Sequence, residues 1–122
     1  MANFEAIAIG AETADLHSTI QVALANIPVF NTNIESSFLG HPNLSRERLK
    51  SLNKLLNDLS RYRGKGDRQI DLVVFPEVSV PYAWESMLVA WARKHRIGVV
   101  CGLEHQVDKR GKALNQVLAA LP

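Results

Sequence analysis

The chain has 122 residues, is 47% hydrophobic and carries a formal net charge of +2, so it can bury one core and fits a single domain. It has no run of about 18 apolar residues, and no basic segment precedes an apolar stretch near its N-terminus, so neither a membrane partner nor a secretory signal is predicted. The single cysteine, Cys101, excludes an internal disulfide and favours a cytoplasmic location.

The charges are unevenly distributed along the chain. All fourteen basic residues lie between Arg46 and Lys112, whereas residues 1–45 carry only acidic ones. Because the basic residues alternate with acids and are not interleaved with aromatic residues, the pattern favours solvated faces. A nucleic-acid footprint is the alternative interpretation.

The first part of the chain contains one predicted strand and one predicted loop. Residues 1–18 are interpreted as a leader or an inter-domain remnant, and 19–122 as the folded domain. The segment Thr19–Ile27 is apolar and β-branched and ends before a proline, which predicts a buried strand. The segment Pro28–Asn43 is rich in Asn, Ser, Gly and Pro, which predicts a long loop, and loops of this length are often functional.

Two segments have the periodicity of amphipathic helices. Ser45–Arg63 repeats leucine at spacings of three and four, with Asn43 or Ser45 available as the N-cap. Ala83–Arg96 has an acid in its first turn and basic residues in its last turn, which matches the helix dipole.

Three further strands complete the predicted domain. Ile70–Phe75 is apolar without alternation, which indicates burial on both faces, as in a parallel sheet covered by helices. Ile97–His105 is the next strand, and "ALNQVLAAL" follows a polar turn around Gly111 and can pair back as a hairpin. The alternation of strands and helices predicts an α/β fold with a mostly parallel sheet.

The apolar run "IDLVVFPEVSVP" ends by placing Glu77 directly after Pro76. In open α/β sheets ligands bind beyond the carboxyl ends of the strands, and a proline forces the chain to turn there. A carboxylate at such an edge would be partly desolvated and suited to act as a general base. A solvated glutamate at a strand end is the alternative, and the pattern alone does not decide between them.

The order of several motifs resembles the N-terminal half of the carbon–nitrogen hydrolase (nitrilase) superfamily. The motif D-L-V-V-F-P-E is followed by a helix, an I-x-V-V-x-G strand and a hairpin strand that holds an asparagine, and the match runs from Ile20 to about Leu121. The resemblance implies the first half of an α-β-β-α sandwich and hydrolysis of a small amide or nitrile, without a cofactor.

The resemblance also implies roles for two residues. Glu77 matches the family's catalytic glutamate, and Asn115 matches the asparagine of the hairpin strand. In the family a cysteine thiolate attacks the amide or nitrile carbon, a lysine stabilises the developing negative charge, and the glutamate shuttles the proton. Both the lysine and the cysteine lie downstream of the hairpin in the family, so the 122 residues alone are expected to be inactive.

Other candidate residues have competing interpretations. Cys101 lies upstream of the family's nucleophile and is interpreted as a small buried hydrophobe, with a substitute nucleophile as the alternative. Tyr82 and Trp84 follow the Glu77 motif and are candidates for the wall of a substrate pocket, although Trp84 also fits a core position.

Three lysines do not match the family's lysine and are interpreted as surface charges, namely Lys94, Lys109 and Lys112. The four histidines are scattered without i,i+4 pairing, so no metal site is predicted.

Three further expectations concern the context of the domain. The motif P-E-V-S-x-P-x-x-W that contains Glu77 is similar to that of nitrilase-like domains fused to bacterial reverse transcriptases. Nucleic acid is therefore expected as a partner only through such a fused domain. A non-catalytic module that uses the nitrilase fold for oligomerisation is the alternative function, and an unrelated ligand-binding domain with a wholly parallel sheet is a third. Half a sandwich would leave a strand edge and an apolar sheet face uncovered, which predicts a homo-oligomer.

Overall fold

A computed structural model describes residues 19–122, which form a mixed α/β fold with four strands and three α-helices; residues 1–18, interpreted above as a leader, lie outside the described range. The elements in chain order are β1 (Val22–Leu24), α1 (Asn31–Phe38), α2 (Arg46–Arg61), β2 (Leu72–Val74), α3 (Glu85–His95), β3 (Gly98–Val107) and β4 (Ala113–Ala120).

The strands form one sheet in the order β1-β2-β3-β4. The pairs β1–β2 and β2–β3 are parallel, whereas β3 and β4 form an antiparallel hairpin. The predicted α/β class and the hairpin are therefore confirmed. The wholly parallel sheet that an unrelated ligand-binding domain would show is not found in these residues.

One face of the sheet carries the core. The register aligns Ala23, Val73 and Val99, and the last two are fully buried. Helices α2 and α3 cover this face with leucine and aromatic side chains, which are Leu52, Leu56, Leu88 and Trp91. At about 25 cal/mol per Å² of buried apolar surface, this layer is the main source of folding free energy.

The opposite face of the sheet is apolar but poorly covered. Because side chains alternate along a strand, this outer face carries one polar residue, Asn115, and the apolar residues Val22, Leu24, Leu72, Val74, Val100, Val117, Ala119 and Leu121. Leu24, Val117 and Leu121 are 77%, 70% and 73% exposed. The uncovered apolar face expected of half a sandwich is thus present within residues 19–122.

Helix α1 is the main departure from the predicted elements. Residues 28–43 were expected to form a loop, but Asn31–Phe38 is helical. The helix has no side-chain N-cap and neither an acid in its first turn nor a base in its last, so its sequence carries no helix signal. Contacts with β3 hold it, including the edge-on packing of the Phe38 and His105 rings at 5.4 Å. Tertiary packing has outweighed weak local propensity.

Most of the other elements follow the predictions with shorter bounds, whereas β3 runs two residues past the predicted end at His105. The burial predicted for the strand within Thr19–Ile27 is wrong, because β1 is an edge strand whose Val22 and Leu24 are 45% and 77% exposed. The helix predicted over Ser45–Arg63 is α2, and Ser45 is its N-cap because its hydroxyl accepts a hydrogen bond from the Arg48 N–H. Helix α3 begins at Glu85 rather than Ala83, since Tyr82–Trp84 forms a 3₁₀ turn. Across residues 19–122 no helix combines the length and the apolar character needed to cross a bilayer.

Candidate functional site

Glu77 lies on a bulge where the chain briefly leaves the sheet. The Phe75 N–H donates to the Val100 carbonyl at 2.8 Å, and the ladder resumes where the Ser79 N–H donates to the Gly102 carbonyl at 2.9 Å. Between these bonds, residues 76–78 rise out of the sheet. Pro76 has no N–H to donate, which explains why the ladder breaks at this point.

The bulge rests directly on Gly102. A Cβ at that position would lie 2.6 Å from the Cα of Glu77 and 2.7 Å from the N of Val78, so only glycine fits beneath the bulge. Gly102 is paired with Val117, whose side chain stands on the outer face. The bulge therefore lies on the outer face of the sheet, at the carboxyl end of the central strand β2.

Two details of the bulge bear on its chemistry. Val78 has φ = 50°, a left-handed conformation that is strained for a β-branched residue. The Glu77 side chain is exposed, so the expectation of a partly desolvated carboxylate is wrong for the residues described, because nothing in them covers the bulge. The expected position at the end of a central strand is found.

Asn115 is exposed on β4, and no described hydrogen bond links it to Glu77. It lies opposite the irregularity in the β3–β4 pairing, because its neighbours Leu114 and Gln116 pair with Gln106 and Leu103. The two residues that match the family motifs are therefore both accessible, but they are not joined to each other.

Cys101 is buried on the inner face, away from Glu77. Its side chain is 0% exposed and its Sγ lies 3.9 Å from the Ser79 Oγ. Burial raises the pKa of the thiol to about 11, partly offset by the Ser79 hydroxyl, so the thiolate needed for nucleophilic attack is scarce at neutral pH. These observations favour the interpretation of Cys101 as a buried hydrophobe over that of a nucleophile.

A cavity of about 380 Å³ lies between α1, the first turns of α2 and the segment after the bulge. Most of its wall is apolar, contributed by Ile27, Pro28, Phe30, Leu52, Val80 and Trp84. Trp84 therefore lines this cavity and also packs against the core. Tyr82 is exposed and Glu77 lies elsewhere, and neither is among the lining residues.

The polar side of this cavity is built around a buried ion pair that the sequence did not reveal. Arg48 of α2 pairs with Glu104 of β3, whose side chain is 1% exposed. Arg48 also donates to the Asn43 and Ser79 carbonyls at 3.0 and 3.2 Å. The guanidinium lies 5.8 Å from the centre of the Trp84 ring.

The Arg48–Glu104 ion pair determines the charge of the cavity and therefore the kind of ligand that suits it. Because Glu104 neutralises Arg48, the cavity has no net charge to attract an anion, and its remaining guanidinium N–H groups suit a neutral acceptor. The arrangement also fixes the chain just after the bulge, since Arg48 holds Ser79 and the Glu104 N–H donates to the Val80 carbonyl at 2.7 Å. Arg48 and Glu104 are 56 residues apart in the sequence, so no local pattern predicted their contact.

The remaining candidates lie on the surface. Lys94, Lys109 and Lys112 are exposed and form no ion pair with a described carboxylate. In the part of the chain that is described, no three His, Cys, Asp or Glu side chains are grouped closely enough to hold a metal ion.

No family model, no curated protein and no solved structure matches this chain.

Proposed function

We propose that this chain forms the first half of a carbon–nitrogen hydrolase-like domain, in which Glu77 transfers protons during hydrolysis of a small amide or nitrile. The proposal rests on the sequence resemblance around D-L-V-V-F-P-E and on one structural observation. The Glu77 bulge stands on the same sheet face that is apolar and exposed.

This juxtaposition matters because an α-β-β-α sandwich requires a second sheet on that face. Sheets pack about 10 Å apart, so a second sheet laid on the outer face would enclose the bulge beside it. Glu77 would then lose water and become a stronger base, as general base catalysis requires. The lysine and the cysteine nucleophile would come from the covering sheet.

The chemistry of the present chain is limited to the carboxylate. Glu77 would accept the thiol proton of an incoming cysteine, donate it to the leaving amine, and then activate the water that hydrolyses the thioester. Cys101 is buried on the inner face and no described lysine forms an ion pair with Glu77, so the 122 residues alone should not turn over an amide.

The test uses the protein encoded by the complete reading frame, assayed with simple aliphatic amides and nitriles. Glu77→Gln should lower turnover at least about 10²-fold, the lower end of what general acid–base catalysis supplies, without lowering stability. Glu85→Gln, which removes another carboxylate from the next helix, is the matched control and should retain activity. Equal activity of wild type and Glu77→Gln would contradict the proposal.

The outer face also supports a second candidate, a non-catalytic association module. Apart from Asn115 and the Glu77 bulge, its exposed residues are apolar, and such a surface favours burial against protein. Two copies packed through this face would form a four-layered α-β-β-α sandwich with one sheet from each chain. Full activity of the complete protein would favour the hydrolase, whereas a stable, inactive dimer would favour the module.

A further inference from the structure

A second surface lies at the opposite end of the sheet from Glu77. Helices α2 and α3 lie on the same face, and each ends where the chain turns into the parallel strands β2 and β3. The carboxyl ends of both helices therefore meet at the amino-terminal edge of the sheet. The Gln69 side chain donates to the Arg96 carbonyl at 3.3 Å, which joins the segment after α2 to the end of α3.

This edge collects basic side chains from two distant parts of the sequence. Residues 61–71 and 93–96 together contain seven Arg and Lys residues and two acids, Asp67 and Asp71. We call this surface the basic edge, and its members are Arg61, Arg63, Lys65, Arg68, Arg93, Lys94 and Arg96.

The ion pairs between described residues leave most of these charges without a carboxylate. Asp71 pairs with Arg68 at 2.9 Å, and the nearest acid in α2, Asp58, pairs with Lys54 at 2.6 Å. The other six cations of the basic edge form no ion pair with a described carboxylate. The alternation of acids and bases in the sequence, which favoured solvated faces, is thus not preserved in space.

The helix dipoles account for part of the pattern only. Cations in the last turn of a helix are stabilised by the partial negative charge of its carboxyl end, which explains Arg61, Arg93 and Lys94. Lys65 lies beyond α2 and Arg96 beyond α3, outside the last turns of these helices. Arg63 also lies beyond α2, and its guanidinium donates to the Ser60 and Tyr62 carbonyls at 3.2 and 2.9 Å.

An aromatic side chain lies within this surface. Tyr62 is 57% exposed and stands between Arg61 and Arg63, so the absence of aromatic residues among the basic ones, which favoured solvated faces, does not hold at this position. Five of the seven cations are arginines, which bind phosphate in a bidentate manner and stack on bases. Exposed cations flanking an aromatic ring are the elements that single-stranded nucleic acids bind, through phosphate contacts and base stacking.

We propose that the basic edge binds single-stranded nucleic acid in a sequence-independent manner. The backbone phosphates contact the arginines and lysines, and one base stacks on Tyr62. This binding does not depend on hydrolase activity, because the basic edge and Glu77 lie at opposite ends of the strands.

The experiment is fluorescence anisotropy of a labelled 20-nucleotide dT oligomer titrated with the 122-residue chain at several salt concentrations. A triple variant, Arg61→Gln/Arg63→Gln/Lys65→Gln, should weaken binding about tenfold or more and reduce the slope of log K against log salt by about 2. Arg93→Gln/Lys94→Gln/Arg96→Gln should do the same, since both segments form one surface.

A matched control removes three cations at the other end of the sheet. Lys109→Gln/Arg110→Gln/Lys112→Gln changes the net charge equally but alters the β3–β4 turn, and it should bind almost as wild type. Tyr62→Ala should weaken binding about fivefold or more, while Tyr62→Phe should retain it because the ring still stacks. Circular dichroism melting checks that each variant is folded.

Three results would overturn the proposal. The first is no salt-dependent binding of the oligomer by wild type. The second is an equal loss in the control triple variant, which would mean that net charge alone drives the interaction. The third is binding to vesicles of phosphatidylserine and phosphatidylcholine without binding to the oligomer, which would assign the basic edge to a membrane surface instead.

Discussion

At the scale of single residues, the environment of Cys101 shows how position determines reactivity. The thiol lies on the covered face of the sheet, within 3.5 Å of the Gly102 carbonyl and 3.9 Å of the Ser79 hydroxyl. Burial disfavours the charged thiolate more than the Ser79 hydroxyl stabilises it, so the pKa of the thiol is about 11 rather than 9.0.

The raised pKa of Cys101 makes stability depend on pH. Between pH 9 and 11 the unfolded chain releases the thiol proton while the folded chain retains it. The free energy of unfolding should therefore include the full contribution of the buried thiol below pH 9 and lose it as the pH rises to 11, by up to about 1.4 kcal/mol per pH unit. Urea unfolding across this range measures the effect.

Cys101→Ala is the control for this prediction. The variant should cost about 1–3 kcal/mol at pH 7, because a small buried side chain is trimmed, and should show a flatter decline above pH 9. Parallel pH profiles for the two proteins would show that the thiol does not titrate differently on unfolding.

Gly102 gives a second prediction at the residue scale. In Gly102→Ala the new methyl group would lie 2.6 Å from the Glu77 Cα, which forces the bulge or strand β3 to move. Overpacking of this kind costs about 1–3 kcal/mol or more, measured by urea unfolding. Gly111→Ala, in open space at φ = 76°, carries only left-handed backbone strain and should cost about 1 kcal/mol. A Gly102→Ala variant as stable as Gly111→Ala would contradict the contact.

At the scale of elements, the Arg48–Glu104 pair joins α2 to β3 behind the bulge. Arg48→Met leaves Glu104, which is 1% exposed, as an unpaired buried charge and should cost about 3–5 kcal/mol of unfolding free energy. The double variant Arg48→Met/Glu104→Leu removes both charges and should recover much of that loss. If the double variant loses as much stability as Arg48→Met and Glu104→Leu lose separately when summed, the two charges are not coupled.

The helices and strands also show which sequence patterns are sufficient to predict an element. The leucine periodicity of α2, the apolar run of β2 and the turn around Gly111 each predicted the correct element, because one local pattern dominates in each. Helix α1 was missed because it forms through contacts with β3 rather than through its own caps. The Arg48–Glu104 pair was missed because each residue alone resembles an ordinary surface charge.

At the scale of the whole molecule, the sheet has one covered and one open face. The apolar run of β2 predicted cover on both faces by helices, and this is wrong for the described residues, whose helices cover only one face. The open face was expected from the resemblance to half a sandwich. The exposed state of Glu77 was not anticipated, because a strand-end position does not specify whether a second layer is present. The open face and the exposed bulge lie on the same side of the sheet, which no described helix covers.

The most direct test of this account is sedimentation velocity of the 122-residue chain at micromolar concentration. If the outer face is an interface, wild type should sediment as a dimer or larger species that buries more than about 1,000 Å². Val117→Lys places a charge on this face and should dissociate it, whereas Ala90→Lys, on the exposed side of α3, should not. A wild-type species at the monomer mass of 13.5 kDa, unchanged by Val117→Lys, would contradict the account.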